Sequence, residues 1–220
     1  MQDNEHKITV SKTARYFTLG SPSPKIKHVW FVLHGYGQLA AQFINNFEII
    51  NNDENYIIAP EALNKFYANR LSQKVGATWM TKENREDEIK DYINFLDSVY
   101  EKEIAQFDKH KIKINVLGFS QAAATATRWL VNGKSKTHNF LIWAGDIPPD
   151  TDPEKLKHVF TSMNIHFIVG NEDEFINEAR LDEEVKKIQK LKIDFTVHRF
   201  EGGHEIHEDT LVKIYESFQK

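Results

Sequence analysis

The chain has 220 residues, 40% of them hydrophobic, and 28 basic against 32 acidic side chains for a formal charge of -4. That is long enough for one α/β domain with a sizeable core, and the interleaved charges leave no basic stripe for nucleic acid or for an anionic membrane surface. Cysteine is absent, which excludes disulfides, thiolate metal sites and a cysteine nucleophile.

The amino terminus, MQDNEHKITVSKTARYF, has no basic segment followed by an apolar core. The longest apolar runs, HVWFVLHG and NFLIWAG, fall well short of the ~20 residues that span a bilayer. A cytoplasmic protein with a single domain over residues 1–220 is therefore expected, and nothing in the sequence sets its oligomeric state. Short runs rich in β-branched and aromatic residues alternate with amphipathic ones, the pattern of an α/β fold. Strands are predicted at 7–19, 27–33, 56–59, 111–117, 139–143, 165–169 and 194–200. The central ones are almost continuously apolar, as parallel strands covered on both faces must be. Ile89, Tyr92, Ile93, Leu96, Val99, Tyr100 and Ile104 recur at helical spacing and predict a helix over 83–107. Leu181, Val185, Ile188 and Leu191 suggest another, and Ile206, Leu211, Ile214, Tyr215 and Phe218 a last one. The proline-bearing segments GSPSPK and GDIPPDTDPEK read as loops.

Ser120 lies in KIKINVLGFSQAAATATRWLVNG, at the join of a predicted strand and a predicted helix. A serine there can simply cap the helix. It can also be the apex of a sharp turn that presents its hydroxyl, since Gly118, Phe119, Ser120, Gln121 and Ala122 form Gly-x-Ser-x-Ala, one methyl away from the Gly-x-Ser-x-Gly nucleophile elbow. Such a turn brings the residues two before and two after the serine together, so both must be small.

A serine nucleophile needs a base downstream. His204, in RFEGGHEIHEDTL, follows the final predicted strand and precedes the last predicted helix, where the order serine, acid, histidine expects it. His207 reads as an exposed helix residue. His204, Glu205 and His207 also invite a metal reading, but the zinc-protease motif sets its histidines four apart and here they are three apart; no metal is expected. The orienting acid should lie between Ser120 and His204 at a strand end. Glu172, Asp173 and Glu174 follow the strand ending at Val169, Asp146 follows the preceding strand, and topology favours the later one. For the oxyanion, the backbone N–H of Gln121 is one donor, and the other should come from a loop such as His34-Gly35-Tyr36-Gly37, directly after an apolar strand.

These residues resemble the phospholipase/carboxylesterase family of serine α/β-hydrolases, which includes small carboxylesterases and acyl-protein thioesterases. The likeness runs from VLHGYGQLAAQF through IIAPEA, GATWM, LGFSQAA and VGNEDEFI to EGGHEIH, nearly the whole chain. The resemblance implies an α/β-hydrolase fold, a mostly parallel central sheet with helices on both faces. It also implies Ser120 as nucleophile, Asp173 as acid and His204 as base, with the N–H groups of Tyr36 and Gln121 as the oxyanion hole. Gln38 stands where the family carries an acidic residue, Ala122 replaces a glycine and Ile176 a valine. The stretch NKFYANRLSQKVGATWMTKENREDE is longer than in many members, and its Phe66, Tyr67, Trp79 and Met80 are candidate walls for an acyl group. The expected activity is hydrolysis of small to medium acyl esters without a cofactor, with an acyl-protein thioesterase or lysophospholipase as the nearest alternative. A non-catalytic ligand receptor on the same fold is the alternative of another class.

Overall fold

The computed structural model describes residues 4–69, 71 and 73–219. In chain order the elements are β1 (Tyr16–Leu19), β2 (His28–Leu33), a short α1 (Ala40–Phe43) running into a 3-10 turn (Ile44–Ile50), β3 (Asn55–Pro60), β4 (Asn64–Asn69), β5 (Lys74–Thr78), α2 (Arg85–Ile104), β6 (Lys113–Phe119), α3 (Gln121–Asn132), β7 (Asn139–Trp143), α4 (Pro153–Phe160), β8 (Asn164–Gly170), α5 (Glu178–Lys190), β9 (Phe195–Phe200) and α6 (Glu208–Ser217). Seven strands form one sheet in the order β1-β3-β2-β6-β7-β8-β9. Only β1 runs antiparallel, pairing Tyr16 with Pro60 and Leu19 with Ile57; the other pairs are parallel.

Strands β2, β3 and β7 are buried along their whole length, because helices cover both faces. On one face Tyr92 and Leu96 of α2, Trp129 of α3, Phe160 of α4 and Ile188 of α5 pack on Phe31, Val116 and Phe140. On the other, Phe43 of α1, Phe47 of the 3-10 turn and Leu211 and Ile214 of α6 pack on Trp30, Leu117 and Trp143. This is the mostly parallel, doubly covered sheet of the α/β-hydrolase fold.

Three sequence expectations are corrected, and one stretch left without an expected element gains one. The first predicted strand, 7–19, keeps only its last four residues: Ile8 and Val10 alternate correctly but are 88% and 73% exposed, with no strand beside them. The loop predicted at GDIPPDTDPEK ends in the start of α4, where the Asp152 side chain accepts from the N–H groups of Glu154 and Lys155 and Pro153 takes the first helical position. The insert after β3 folds as an antiparallel hairpin, β4 against β5, with Phe66 opposite Gly76. The long helix is three residues shorter at its carboxyl end than predicted and two at its amino end.

Candidate active site

Strand β6 runs through the middle of the sheet and ends at Phe119, so the turn into α3 lifts Ser120 above the carboxyl edge. Its backbone has φ 55° and ψ -120°, and its N–H donates to the carbonyl of Trp143 at 2.9 Å. The turn is tight: a Cβ on Gly118 would sit 2.4 Å from the carbonyl oxygen of Ala122, so no side chain fits two residues before the serine. Two residues after it, Ala122 is fully buried with its methyl accommodated. Ser120 occupies the cap position of α3, yet its side chain makes no cap hydrogen bond. The hydroxyl instead lies 2.9 Å from His204 Nε2.

His204 stands between β9 and α6, and its Nδ1 lies 2.8 Å from Asp173 Oδ2. Asp173 follows β8 directly, with a fully buried side chain. Its other oxygen, Oδ1, accepts from the N–H groups of Phe175 and Ile176 at 2.8 and 2.9 Å. A carboxylate held by two backbone donors is fixed in orientation, which aims its Oδ2 at Nδ1 of His204 and leaves Nε2 facing the serine hydroxyl. The imidazole is also wedged between the Phe119 and Phe175 rings, with centroids at 5.0 and 4.7 Å.

The remaining sequence candidates are engaged elsewhere. Asp146 forms a two-point ion pair with Arg180 at the rim of the cleft. Glu172 and Glu174 are exposed. His207, half-buried rather than exposed, sits at the amino end of α6 with Nδ1 2.9 Å from Thr210 Oγ1, its ring stacked on Phe200. Glu205 offers its backbone carbonyl to Trp143. His204, Glu205 and His207 therefore do not converge, and among the described residues no group of three such side chains could hold a metal ion.

The loop after β2 faces the turn at Ser120. Gln38, where the family carries an acid, accepts from the Gly35 N–H through its side-chain carbonyl at 2.8 Å, so the amide performs the loop-closing contact. The hairpin braces the same loop: Gly37 N–H donates to Ala77 O, Ala77 N–H donates to Gln38 O, and a Cβ on Gly76 would lie 2.6 Å from Gly37 O. Burial keeps the His34 imidazole below its ordinary pKa and neutral. Its Nδ1 lies 2.8 Å from Gly35 O, and its Nε2 accepts from Ala62 N–H at 3.1 Å. The Gln121 side chain ties the two halves together, donating to Met80 O and accepting from Trp79 N–H. The backbone N–H groups of Tyr36 and Gln121 donate to no backbone carbonyl among the described residues.

A cleft of about 690 Å³ opens in front of Ser120 and His204. Of the expected wall residues only Met80 lines it. Trp79 is 1% exposed and donates its indole N–H to His34 O; its aromatic surface belongs to the core. Phe66 packs on the Tyr36 ring at 5.1 Å, and Tyr67 points outward, 65% exposed. In their place the cleft uses Ala124, Thr125 and Arg128 of α3 together with Phe175 and Ile176. These residues escaped the sequence reading, although a signal was present: positions 121, 124, 125 and 128 have the spacing of one helix face, and that helix starts at Ser120. Burial works to raise the carboxyl of Asp150 behind this wall, but hydrogen bonds from Arg128 and Arg85 outweigh it and hold the pKa at about 2.

The same arrangement of sheet and helices occurs in solved structures of low sequence identity. The esterase PE8 is 21% identical, with 94% of this chain and 99% of that chain covered at a TM-score of 0.71. Acyl-protein thioesterase 2 of Zea mays is 14% identical, covering 94% and 98% at 0.71. The carboxylesterase of Bacillus cereus is 15% identical, covering 94% and 93% at 0.68. No curated protein matches the chain by sequence. The model of the phospholipase/carboxylesterase family, however, matches residues 15–220, and the chain belongs to that family of hydrolases.

Proposed function

We propose that the chain is a serine hydrolase of carboxylic esters that works through an acyl-enzyme on Ser120. One observation carries this reading: Asp173, His204 and Ser120 form an unbroken hydrogen-bonded relay of 2.8 and 2.9 Å whose serine end faces the cleft. Ser120 Oγ attacks the substrate carbonyl carbon while His204 Nε2 takes its proton. The oxygen that becomes negative is received by the N–H groups of Tyr36 and Gln121, and a single such donor is worth roughly 3–4 kcal/mol in the transition state. Asp173 holds the imidazole in the tautomer that accepts at Nε2 and stabilises the imidazolium. The imidazolium then gives its proton to the departing alkoxide or thiolate. Water, deprotonated by the same nitrogen, attacks the acyl-enzyme, and acid and free serine result. The chain's own groups provide every proton transfer in this cycle, and no cofactor is required.

The reading favours short to medium acyl groups, because the cleft is compact and open. Thioesters fit the same chemistry, and the likeness to a plant acyl-protein thioesterase makes them the second substrate class to assay. A receptor without catalysis would need neither an activated serine nor two free N–H donors. The decisive experiment is labelling by an organophosphonate, read by intact-protein mass. One adduct per chain on the unmodified protein and none on Ser120→Ala is the expected result. A chain that takes up no label while folded would overturn the assignment.

A further inference from the structure

The cleft is more cationic than an ester of a plain fatty acid requires. Lys82, Arg128 and Arg180 line it, against one lining carboxylate outside the catalytic relay, Asp146. Asp146 is taken by Arg180. Asp150 is shared between Arg85 and Arg128, so one negative charge serves two guanidinium groups. The Lys82 ammonium makes no ion pair among the described residues. Arg128 is the unusual member, since its side chain is only 8% exposed. It gives Nε and Nη2 to Asp150 at 3.2 and 2.8 Å, while Nη1 meets the Met80 sulfur at 3.5 Å, a weak acceptor. The buried Tyr92 hydroxyl lies against the same guanidinium, outside good hydrogen-bond geometry, and brings no negative charge to it. A buried cation whose remaining edge meets only a thioether and a neutral hydroxyl is costly unless something anionic completes it.

Position supplies the second half of the argument. Gln121, Ala124, Thr125 and Arg128 share one face of α3, and all four line the cleft. At 1.5 Å per residue, Arg128 lies about 12 Å along the helix from Ser120. The same cleft is lined by Ala124, Met80 and Ile176, which suit methylene groups. Glu83, Glu86 and Glu88, at the start of α2, do not line this cleft.

We propose that the cleft selects substrates with an anionic group several methylenes from the scissile carbonyl, of the kind found in half-esters of dicarboxylic acids, and that Arg128 is the specificity-determining residue that receives that group. The inference rests on the serine-esterase reading and adds to it the chemistry of the substrate's far end. Lys82 at the mouth steers the anion inward, and Arg180 adds to the same positive field.

The test compares p-nitrophenyl half-esters of glutaric, adipic and suberic acids with p-nitrophenyl alkanoates of equal chain length. For the unmodified protein, kcat/KM for the best half-ester should exceed that of its neutral partner by about 10-fold or more, the size expected for one charge-assisted hydrogen bond, and the ratio should shrink as salt rises. In Arg128→Gln the ratio should fall towards one, in Arg128→Lys only part of the way, and in Lys82→Gln, an exposed position that does not endanger the fold, it should drop by a few-fold. Calorimetric titration with glutarate and with valerate gives an independent reading: the dianion should bind more tightly to the unmodified protein. Neutral esters hydrolysed at least as well as half-esters, or a preference that survives in Arg128→Gln, would overturn the inference and leave the esterase reading standing. Folded protein that hydrolyses neither series would instead bring down the esterase reading, and the glutarate titration would then decide the anion site alone.

Discussion

The two ends of the central sheet treat polar side chains in opposite ways. At the amino ends of the parallel strands a chain of asparagines and a histidine is hydrogen-bonded within itself. Asn164 Nδ2 donates to Asn139 Oδ1 and Asn139 Nδ2 to Asn115 Oδ1, at 2.8 and 2.7 Å, and the His28 ring lies between Asn115 and Gln219. At the carboxyl ends, Ser120, His204, Tyr36 and Gln121 line one cleft. Both arrangements need accurate strand register, but the first yields cohesion and the second an open cleft, the one in which hydrolysis is proposed. Open parallel sheets hold ligands at this second end because strand carboxyl ends and helix amino ends meet there.

The sharpest way to break the contrast is to remove the serine hydroxyl. Ser120→Ala should lower turnover of a p-nitrophenyl ester by something on the order of 10⁶, because triad members act as a unit, while urea unfolding moves by less than ~1 kcal/mol. Activity near normal in that variant is incompatible with the proposed mechanism. Next in size is Asp173→Asn. An amide can steady the wrong imidazole tautomer, and in the serine-protease case this loses about 10⁴ in turnover. Asp146→Asn, which disturbs only a rim ion pair, should keep most activity. The reverse ranking of these two variants would move the orienting acid to the end of β7.

The smallest effect belongs to the other end and appears in stability rather than rate. Burial pushes the His28 and His166 imidazoles down to about 4, with His198 adding to the effect at His166. Their pKa in the unfolded chain is about 6.5. The folded state therefore binds fewer protons than the unfolded state between these values, and stability is complete above pH 6.5 and lost as pH falls towards 4. With two such groups the loss reaches on the order of 2 kcal/mol per pH unit near pH 5. Urea midpoints at pH 7 and pH 5 measure it, and equal midpoints would refute the assignment. Asp150, held at about 2, titrates below this window and does not blur it.

How much of this was readable in the sequence follows from what each feature depends on. Ser120, Asp173 and His204 each come directly after an apolar strand, so their meeting follows from strand order alone, and chain order supplied it. The amphipathic helix over α2 was equally legible from its period. The β4–β5 hairpin was not: its apolar residues show no sustained alternation across KFYAN and KVGAT, and the hairpin is held by Gly37, Gln38 and Gln121 from distant segments. The destination of Trp79 likewise depends on the His34 carbonyl, 45 residues away. Residues 7–15 failed in the opposite sense, having the alternation of a strand but no neighbouring edge. Arg128 carried a legible helical position, yet its burial depends on Asp150 beyond β7.

The backbone at Ser120 has a consequence for how the molecule could evolve. A φ of 55° with ψ of -120° is a conformation that disfavours any side chain, at roughly 1–3 kcal/mol, whereas glycine adopts it freely. Part of that gain is returned because glycine widens the unfolded ensemble. Ser120→Gly should nonetheless melt a few degrees higher than the parent, and a calorimetric Tm at or below the parent's would contradict this. A library of variants selected only for surviving heat would therefore enrich a dead enzyme. Thermal screening of this chain needs an activity gate at every round, because the residue that opposes robustness most directly is the one on which hydrolysis is proposed to depend.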